Sequence, residues 1–445
     1  MLGSKIMSMF NTFFHIAACM ATTLAAFAQD KPSTNDLANP QVAAVECRPR
    51  NGLPNFYSKL RQNGDVRIAY LGGSITAQDG WRPKTLAWFQ EQFPKAHISE
   101  INAAIGGTGS DLGVYRLRHD VLDHHPDLLF VEFAVNDGGA EPADIYRQME
   151  GIVRQTWKSN PSIDICFVYT LVKDHLKSLQ EGHFPRSASA MEKVADHYGI
   201  PSIHMGVEVA RLEKEGKLVF TGEKPQTNAE KAAMEGKILF SPDSVHPYTD
   251  TGHPLYVQAV ARSMKQIQNL GKPVPHVPGA PLVLNNLEAA QMLPLDRAKT
   301  STGWVKLDPA TNHLARDFAH YLSPMWTTSK PGETLTIKFR GTTLAIYDLL
   351  GPDCGQVSVQ VDDQPPRVQP RFDAYCTYHR LAKWAVADHL ANTVHTVKFT
   401  LQAGQPDKLK ILAQRNEKMD DPKRFDGTAW YAGAILVVGE LLPVE

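Results

Sequence analysis

The chain has 445 residues, 43% hydrophobic and 21% charged, enough to bury two separate cores. Lys and Arg total 46 against 47 Asp and Glu, for a formal net charge of −1. With no basic cluster interleaved with aromatics, the composition argues against a nucleic-acid partner.

Lys5 and the mostly apolar stretch ending at Ala26-Phe27-Ala28 read as a secretory signal over residues 1–28 with an Ala-x-Ala cleavage site. Asn11 and His15 interrupt the apolar run, which makes it a poor membrane span. Ile16-Ala17-Ala18-Cys19 also has the look of a lipoprotein signal, so a form lipid-anchored at Cys19 is the alternative to a free periplasmic or extracellular protein. Residues 29–59 read as a leader. Cleavage leaves Cys47, Cys166, Cys354 and Cys376, which an exported protein can pair. Cys354 and Cys376 are the better candidates, because Cys166 lies in the apolar run 163–168 and reads as core. No Cys or His spacing fits a zinc site, so neither metal nor cofactor is expected.

From 60 to 270 apolar runs alternate with helical patterns. Strands are predicted near 66–71, 98–101, 127–133, 163–171 and 201–205. Helices are predicted at 81–93, 111–125, 142–159, 188–198, 207–215 and 251–269. This alternation predicts an α/β domain with a parallel sheet between two helical layers. Such sheets take their ligands outside the carboxyl ends of the strands. Leu71-Gly72-Gly73-Ser74-Ile75-Thr76 closes the first strand there. Asn102-Ala103-Ala104-Ile105-Gly106-Gly107-Thr108-Gly109-Ser110 follows the second, and Asn136-Asp137 follows the third. Gly-rich turns expose backbone N–H groups, and an Asn side chain is a neutral donor. Asp243-Ser244-Val245-His246 supplies an imidazole and a carboxylate that could activate a hydroxyl. Singly, each segment also reads as a turn, cap or tight packing point. Four in order on successive strand ends make that reading improbable.

These blocks resemble the SGNH hydrolases, the GDSL-like esterase superfamily, over roughly residues 60–270. The resemblance implies a three-layer, flavodoxin-like sheet. It also implies Ser74 as nucleophile, His246 as base and Asp243 as the orienting acid. The oxyanion hole would be the N–H groups of Ser74 and Gly107 with the Asn136 amide. Gly73 stands where the family has the Asp of Gly-Asp-Ser, and Ala134 stands two residues before Asn136 where the family has Gly. Trp81 either walls the acyl pocket or packs the first helix on the sheet. His253, Arg116, Arg118, Glu132 and Asp137 lie near the blocks without an assigned role. The polar segment 221–237 reads as an insertion beside the site, either a lid or a solvated loop.

Residues 271–281 are Pro-rich and read as a linker. Beyond them, 282–445 alternates with period two at 334–339, 344–347, 357–361, 393–399 and 434–438. This predicts a smaller all-β sandwich or jelly roll. It loosely resembles the accessory domains found beside carbohydrate esterases. Trp304, Trp326, Tyr375, Tyr378, Trp384 and Trp430 are candidates for stacking on sugars, or for core packing. The run 371–380 reads as a ligand loop or as a loop packed on the first domain.

The expected activity is therefore that of a secreted serine esterase removing O-acyl, chiefly O-acetyl, groups from a polysaccharide or oligosaccharide. A lipid or aryl ester hydrolase is one alternative. A carbohydrate-binding protein on an inactive esterase fold is another. The oligomeric state is not legible.

Overall fold

The computed structural model describes residues 37–322 and 324–444. The signal reading of 1–28 and the Cys19 anchor lie outside them. The first domain is a six-stranded sheet built from β1 (Cys47–Arg48), β2 (Asp65–Gly72), β3 (His97–Ala104), β4 (Leu128–Glu132), β5 (Asp164–Tyr169) and β6 (Ser202–His204). Its order is β1-β6-β5-β4-β2-β3. All pairings are parallel except β1 on β6. Counted from β2, the parallel strands run 2-1-3-4-5, the flavodoxin-like order with its switch point between β2 and β4. Every residue of β4 and β5 is buried, as expected for strands covered on both faces.

The covering helices include α1 (Pro54–Arg61), α2 (Trp81–Gln92), α3 (Ser110–Asp120), α4 (Pro142–Ser159), α5 (Arg186–Tyr198), α6 (Val207–Lys214) and α7 (Gly252–Ile267). The expected leader needs correction. Within 37–59, β1 extends the sheet as its edge strand, and Leu53, Phe56 and Tyr57 are buried in the core. The fold therefore begins upstream of residue 60, on apolar contacts that a polar-looking sequence concealed. Two further short strands, β7 (Leu218–Thr221) and β8 (Ile238–Ser241), pair in parallel and bracket the 221–237 segment.

The second domain is a ten-stranded sheet containing β9 (Ala290–Pro294), β10 (Thr334–Leu350), β11 (Gln356–Val361), β12 (Arg367–Pro370), β13 (Arg380–Ala387), β14 (Thr393–Leu401) and β15 (Trp430–Leu442). All pairings are antiparallel. On one edge of β10, residues 334–341 pair with β14 and residues 344–350 with β13, so the sheet branches between them. A register shift at Gly341/Thr343 marks the branch. A Cβ on Gly341 would meet Val438 O at 2.1 Å, so glycine is what allows the bend.

Trp304, Trp384 and Trp430 belong to the β core, which removes them as sugar platforms. Tyr375 and Tyr378 are exposed. Cys354 and Cys376 are buried free thiols, so the expected pairing is not formed in this structure.

The two domains share a core. Ala345, Tyr347 and Leu349 of β10 and Ala434 and Leu436 of β15 belong to the same apolar cluster as the first domain's interior. Ion pairs flank it, Lys383 Nζ to Asp111 at 2.6 Å and Arg147 to Asp388 at 3.2 Å. The Pro-rich 271–281 segment is docked. His276 stacks on Trp157 with ring centroids 4.6 Å apart and contacts Asp164 at 2.7 Å. Among the described residues, no helix is long and apolar enough to cross a membrane.

Candidate active site

Ser74 opens a short helix, Ser74–Ala77, directly after β2, and extended Gly73 is its N-cap. The helix starts one residue past the strand, which brings the serine to the carboxyl edge of the sheet. His246 arrives from the loop between β8 and α7. Its Nε2 lies 2.8 Å from Ser74 Oγ, and its Nδ1 lies 2.8 Å from Asp243 Oδ2. Burial pushes the Asp243 carboxyl up, but the His246 ring and the N–H groups of His246 and Val245 outweigh it and hold the group down at about 2. Asp243 is therefore an ionised acceptor, which places the imidazole proton on Nδ1. The Nε2 lone pair is then left to accept from the serine hydroxyl.

The Asp243–His246 loop is fixed locally. Asp243 Oδ1 accepts from Val245 N at 3.0 Å and His246 N at 2.8 Å. Between them Ser244 has φ +71°, a left-handed conformation that non-glycine residues seldom adopt. Its hydroxyl meets Thr221 Oγ1 of β7 at 2.9 Å, and its carbonyl accepts from Lys173 N at 3.0 Å. The 221–237 segment thus begins with a residue that braces this loop.

The Ser74 side rests on buried polar groups. Glu132, the last residue of β4, accepts from Thr76 Oγ1 at 2.9 Å, from Thr170 Oγ1 at 2.8 Å and from the Gly73 backbone N–H. Burial without a cation raises its carboxyl above the usual range, and the three donors only partly offset this. Arg116, fully buried on α3, donates to Ala103 O at 2.5 Å, closing the end of β3. Neither role was visible in the sequence, because both depend on which strand ends converge.

The other predicted residues fall around Ser74. A Cβ on Gly106 would lie 3.6 Å from Ser74 Cβ, so that turn approaches Ser74 closely. Gly107 has φ +72° and faces open space. Asn136 is exposed and stands over Gly73, where an added Cβ would meet its Oδ1 at 2.0 Å. The Gly at position 73, a departure from Gly-Asp-Ser, is what leaves room for Asn136. Trp81 needs correction as a pocket wall. It is fully buried, its indole N–H reaches Thr76 Oγ1 at 3.3 Å, and its ring packs edge-on to Tyr70 and Phe130. His253 is buried too, accepting from Trp81 N at 3.0 Å, with its pKa pushed by burial down to about 4. Among the described residues, no cluster of His, Cys, Asp or Glu is arranged to hold a metal ion.

A cleft of about 280 Å³ opens beside Gly107. Thr108, Gly109 and Asp111 line one side, while Asp373, Arg380 and Lys383 of the second domain line the other. The run 371–380 therefore borders the cleft, with Arg371 anchored in a buried ion pair with Asp348 at 2.7 Å.

Residues 70–253 match the model of the GDSL-like Lipase/Acylhydrolase family. The chain carries a GDSL-like lipase/acylhydrolase domain. It is a carboxylic ester hydrolase. No curated protein matches it in sequence. Among solved structures, it is similar to a two-domain esterase (CEX) active on acetylated mannans, co-crystallised with mannopentaose. That similarity has a TM-score of 0.66 and 20% identity, covering 89% of this chain and 98% of the other. A second structure, also of a two-domain esterase (CEX) active on acetylated mannans, gives a TM-score of 0.65, 21% identity and coverage of 88% and 98%. At such identity the likeness is one of fold, and it extends over the GDSL-like domain and the β domain together.

Proposed function

We propose that the protein is an exported esterase that removes O-acetyl groups from a polysaccharide or oligosaccharide, with Ser74, His246 and Asp243 as its catalytic triad. The observation that carries this reading is the unbroken hydrogen-bond chain from Ser74 Oγ through His246 to Asp243, with 2.8 Å at each step. Ser74 follows β2 at the switch point of the sheet.

Ser74 Oγ attacks the ester carbonyl carbon as its proton passes to His246 Nε2. The carbonyl electrons move onto oxygen, and the Ser74 N–H, Gly107 N–H and Asn136 amide receive that oxyanion. Collapse expels the sugar hydroxyl, which takes the proton from the imidazolium. Water, deprotonated by the same His246, then attacks the acetyl-serine and releases acetate and free Ser74. Asp243 stays ionised throughout and stabilises the imidazolium. The chemistry calls for no cofactor. The charged side chains Asp111, Asp373, Arg380 and Lys383 in the cleft beside Gly107 suit a hydrated glycan better than an acyl chain, which favours sugar esters over lipids. The mannan activity of the similar two-domain esterase supports the same substrate class.

The test is acetate release from a panel of acetylated polysaccharides, with an aryl acetate and Ser74→Ala alongside. Release from a glycan that disappears in the variant is expected. Turnover of the aryl acetate alone would remove the glycan reading, and a Ser74→Ala enzyme that keeps its rate would remove the triad.

A further inference from the structure

The turn after the Ser74 helix carries a second chain of hydrogen bonds, and this one starts from a backbone donor. Trp81 N–H donates to His253 Nδ1 at 3.0 Å, and His253 Nε2 lies 3.1 Å from Gln78 Oε1. His253 stands in the first turn of α7, just beyond the His246 loop. Its ring lies against Gly80, where an added Cβ would meet three ring atoms at 2.4 Å. Glycine at position 80 is what lets the ring seat there.

The proton positions follow from that backbone donor. An N–H can only donate, so His253 Nδ1 carries no proton. The ring is therefore neutral, with its one proton on Nε2. Gln78 must meet that proton with its oxygen, because its amide nitrogen would set one donor against another. Burial holds the His253 pKa down at about 4, which agrees with a ring that stays neutral.

The Gln78 amide nitrogen is left over. Its two N–H groups make no hydrogen bond among the described residues, and the side chain is half-buried. Gln78 stands four residues after Ser74, and its backbone N–H donates to Ser74 O at 3.1 Å. Residues so spaced on a helical turn share a face. Ser74, Ala77 and Gln78 are the partly exposed positions here, whereas Ile75 and Thr76 are buried. Gln78 thus shares the face that carries Ser74. The leaving oxygen takes its proton from His246 Nε2, so the alcohol part of the ester must lie on the His246 side of Ser74. His253 draws Gln78 to that side, since its helix follows the His246 loop and the His246 charge acts on its ring.

We propose that Gln78 binds the sugar moiety of the substrate, its amide nitrogen donating to a sugar oxygen beside the ester, and that His253 is the positioning residue that turns the amide this way. That role rests on the sugar-ester reading given under Proposed function, whereas the order of protons from Trp81 to Gln78 does not.

The experiment measures kcat/KM on the acetylated polysaccharide that wild type cleaves fastest and on phenyl acetate, whose leaving group has no oxygen besides that of the ester. The readout is the ratio of the two in wild type, Gln78→Glu, Gln78→Met and His253→Phe. Gln78→Glu keeps an oxygen for His253 and removes the donor, whereas Gln78→Met removes both without adding charge. The ratio should fall about 3- to 10-fold in each Gln78 variant, as for one lost hydrogen bond. It should fall in His253→Phe as well, where the amide is no longer held. A merely structural loss would lower both rates and leave the ratio alone.

A wild-type ratio in either Gln78 variant would overturn the proposal. A fall in both with a wild-type ratio in His253→Phe would remove His253 as the positioning residue. A wild-type enzyme that cleaves phenyl acetate and no glycan would remove the sugar-ester reading and the role of Gln78 together. Glycan cleavage with an unchanged ratio in the Gln78 variants would remove the role of Gln78 alone.

Discussion

Ser74 is seated on a buried layer of polar groups at the end of the sheet, whereas Asp243 and His246 sit on a loop that water reaches. On the Ser74 side, Glu132, Thr76, Thr170 and Arg116 come from four different segments and are all fully or almost fully buried. On the other side, the Asp243 and His246 side chains are 49% and 34% exposed, and the bonds that shape their loop span two or three residues. The contrast teaches that the two halves of one hydrogen-bond chain are positioned by different physics. Ser74 inherits its place from tertiary packing. The Asp243–His246 loop carries its own shape and is braced from outside at Thr221 and Lys173.

Substitutions can break or sharpen that contrast. The largest effect is expected from Asp243→Asn, which removes the ionised acceptor of the Nδ1 proton and lets the imidazole take the wrong tautomer. A loss of about 10⁴-fold in kcat is expected, with the thermal midpoint little changed because the loop is exposed. Since the Asp243 carboxyl is held down at about 2, its contribution is present at neutral pH and is lost only as pH falls towards that value. An Asp243-dependent fall in rate should therefore appear only as pH nears that value, and one already present at neutral pH would contradict the contrast.

Next comes Gly73→Ala. Its methyl would occupy the place of Asn136 Oδ1, so kcat should fall about 100- to 1,000-fold, as for Asn136→Ala. Circular dichroism should show a folded chain, and a near-normal rate would mean that Asn136 can move without cost.

Glu132→Ala then probes the buried layer. It leaves two hydroxyls and the Gly73 N–H without their acceptor, and should cost about 1–3 kcal/mol of stability in denaturant unfolding. Both stability and kcat should drop, which separates this side from the Asp243–His246 loop.

The smallest effect belongs to Thr221→Val, which removes one hydroxyl from the Ser244 brace. About 1 kcal/mol and a few-fold loss of kcat are expected. A larger loss would mean that the loop depends on β7 as heavily as Ser74 depends on β4.

Much of this was legible in the chain itself. The apolar runs gave five parallel strands close to their observed places. The positions of Ser74, Gly107, Asn136 and His246 after strands or before a helix followed from period and turn residues, which are local properties. The bond from Asp243 to His246 is local too, and a three-residue spacing reveals it. Other features could not be read that way. Trp81 could have been a pocket wall until packing against Tyr70 and Phe130 buried it. The leader could not be recognised as part of the sheet, because β1 is two residues long and is defined by its partner, β6.

What the sequence determined by itself was the alternation of elements and the residue types at their ends, since hydrophobic period and turn chemistry act over a few neighbours. Only the tertiary structure decided the rest. It set Glu132 beneath Gly73, Asn136 over Gly73, His253 against Gln78 and the 371–380 run beside the cleft. Those contacts join residues far apart in sequence. They exist because folding encloses them together, where a buried polar group must find a partner or lose its charge.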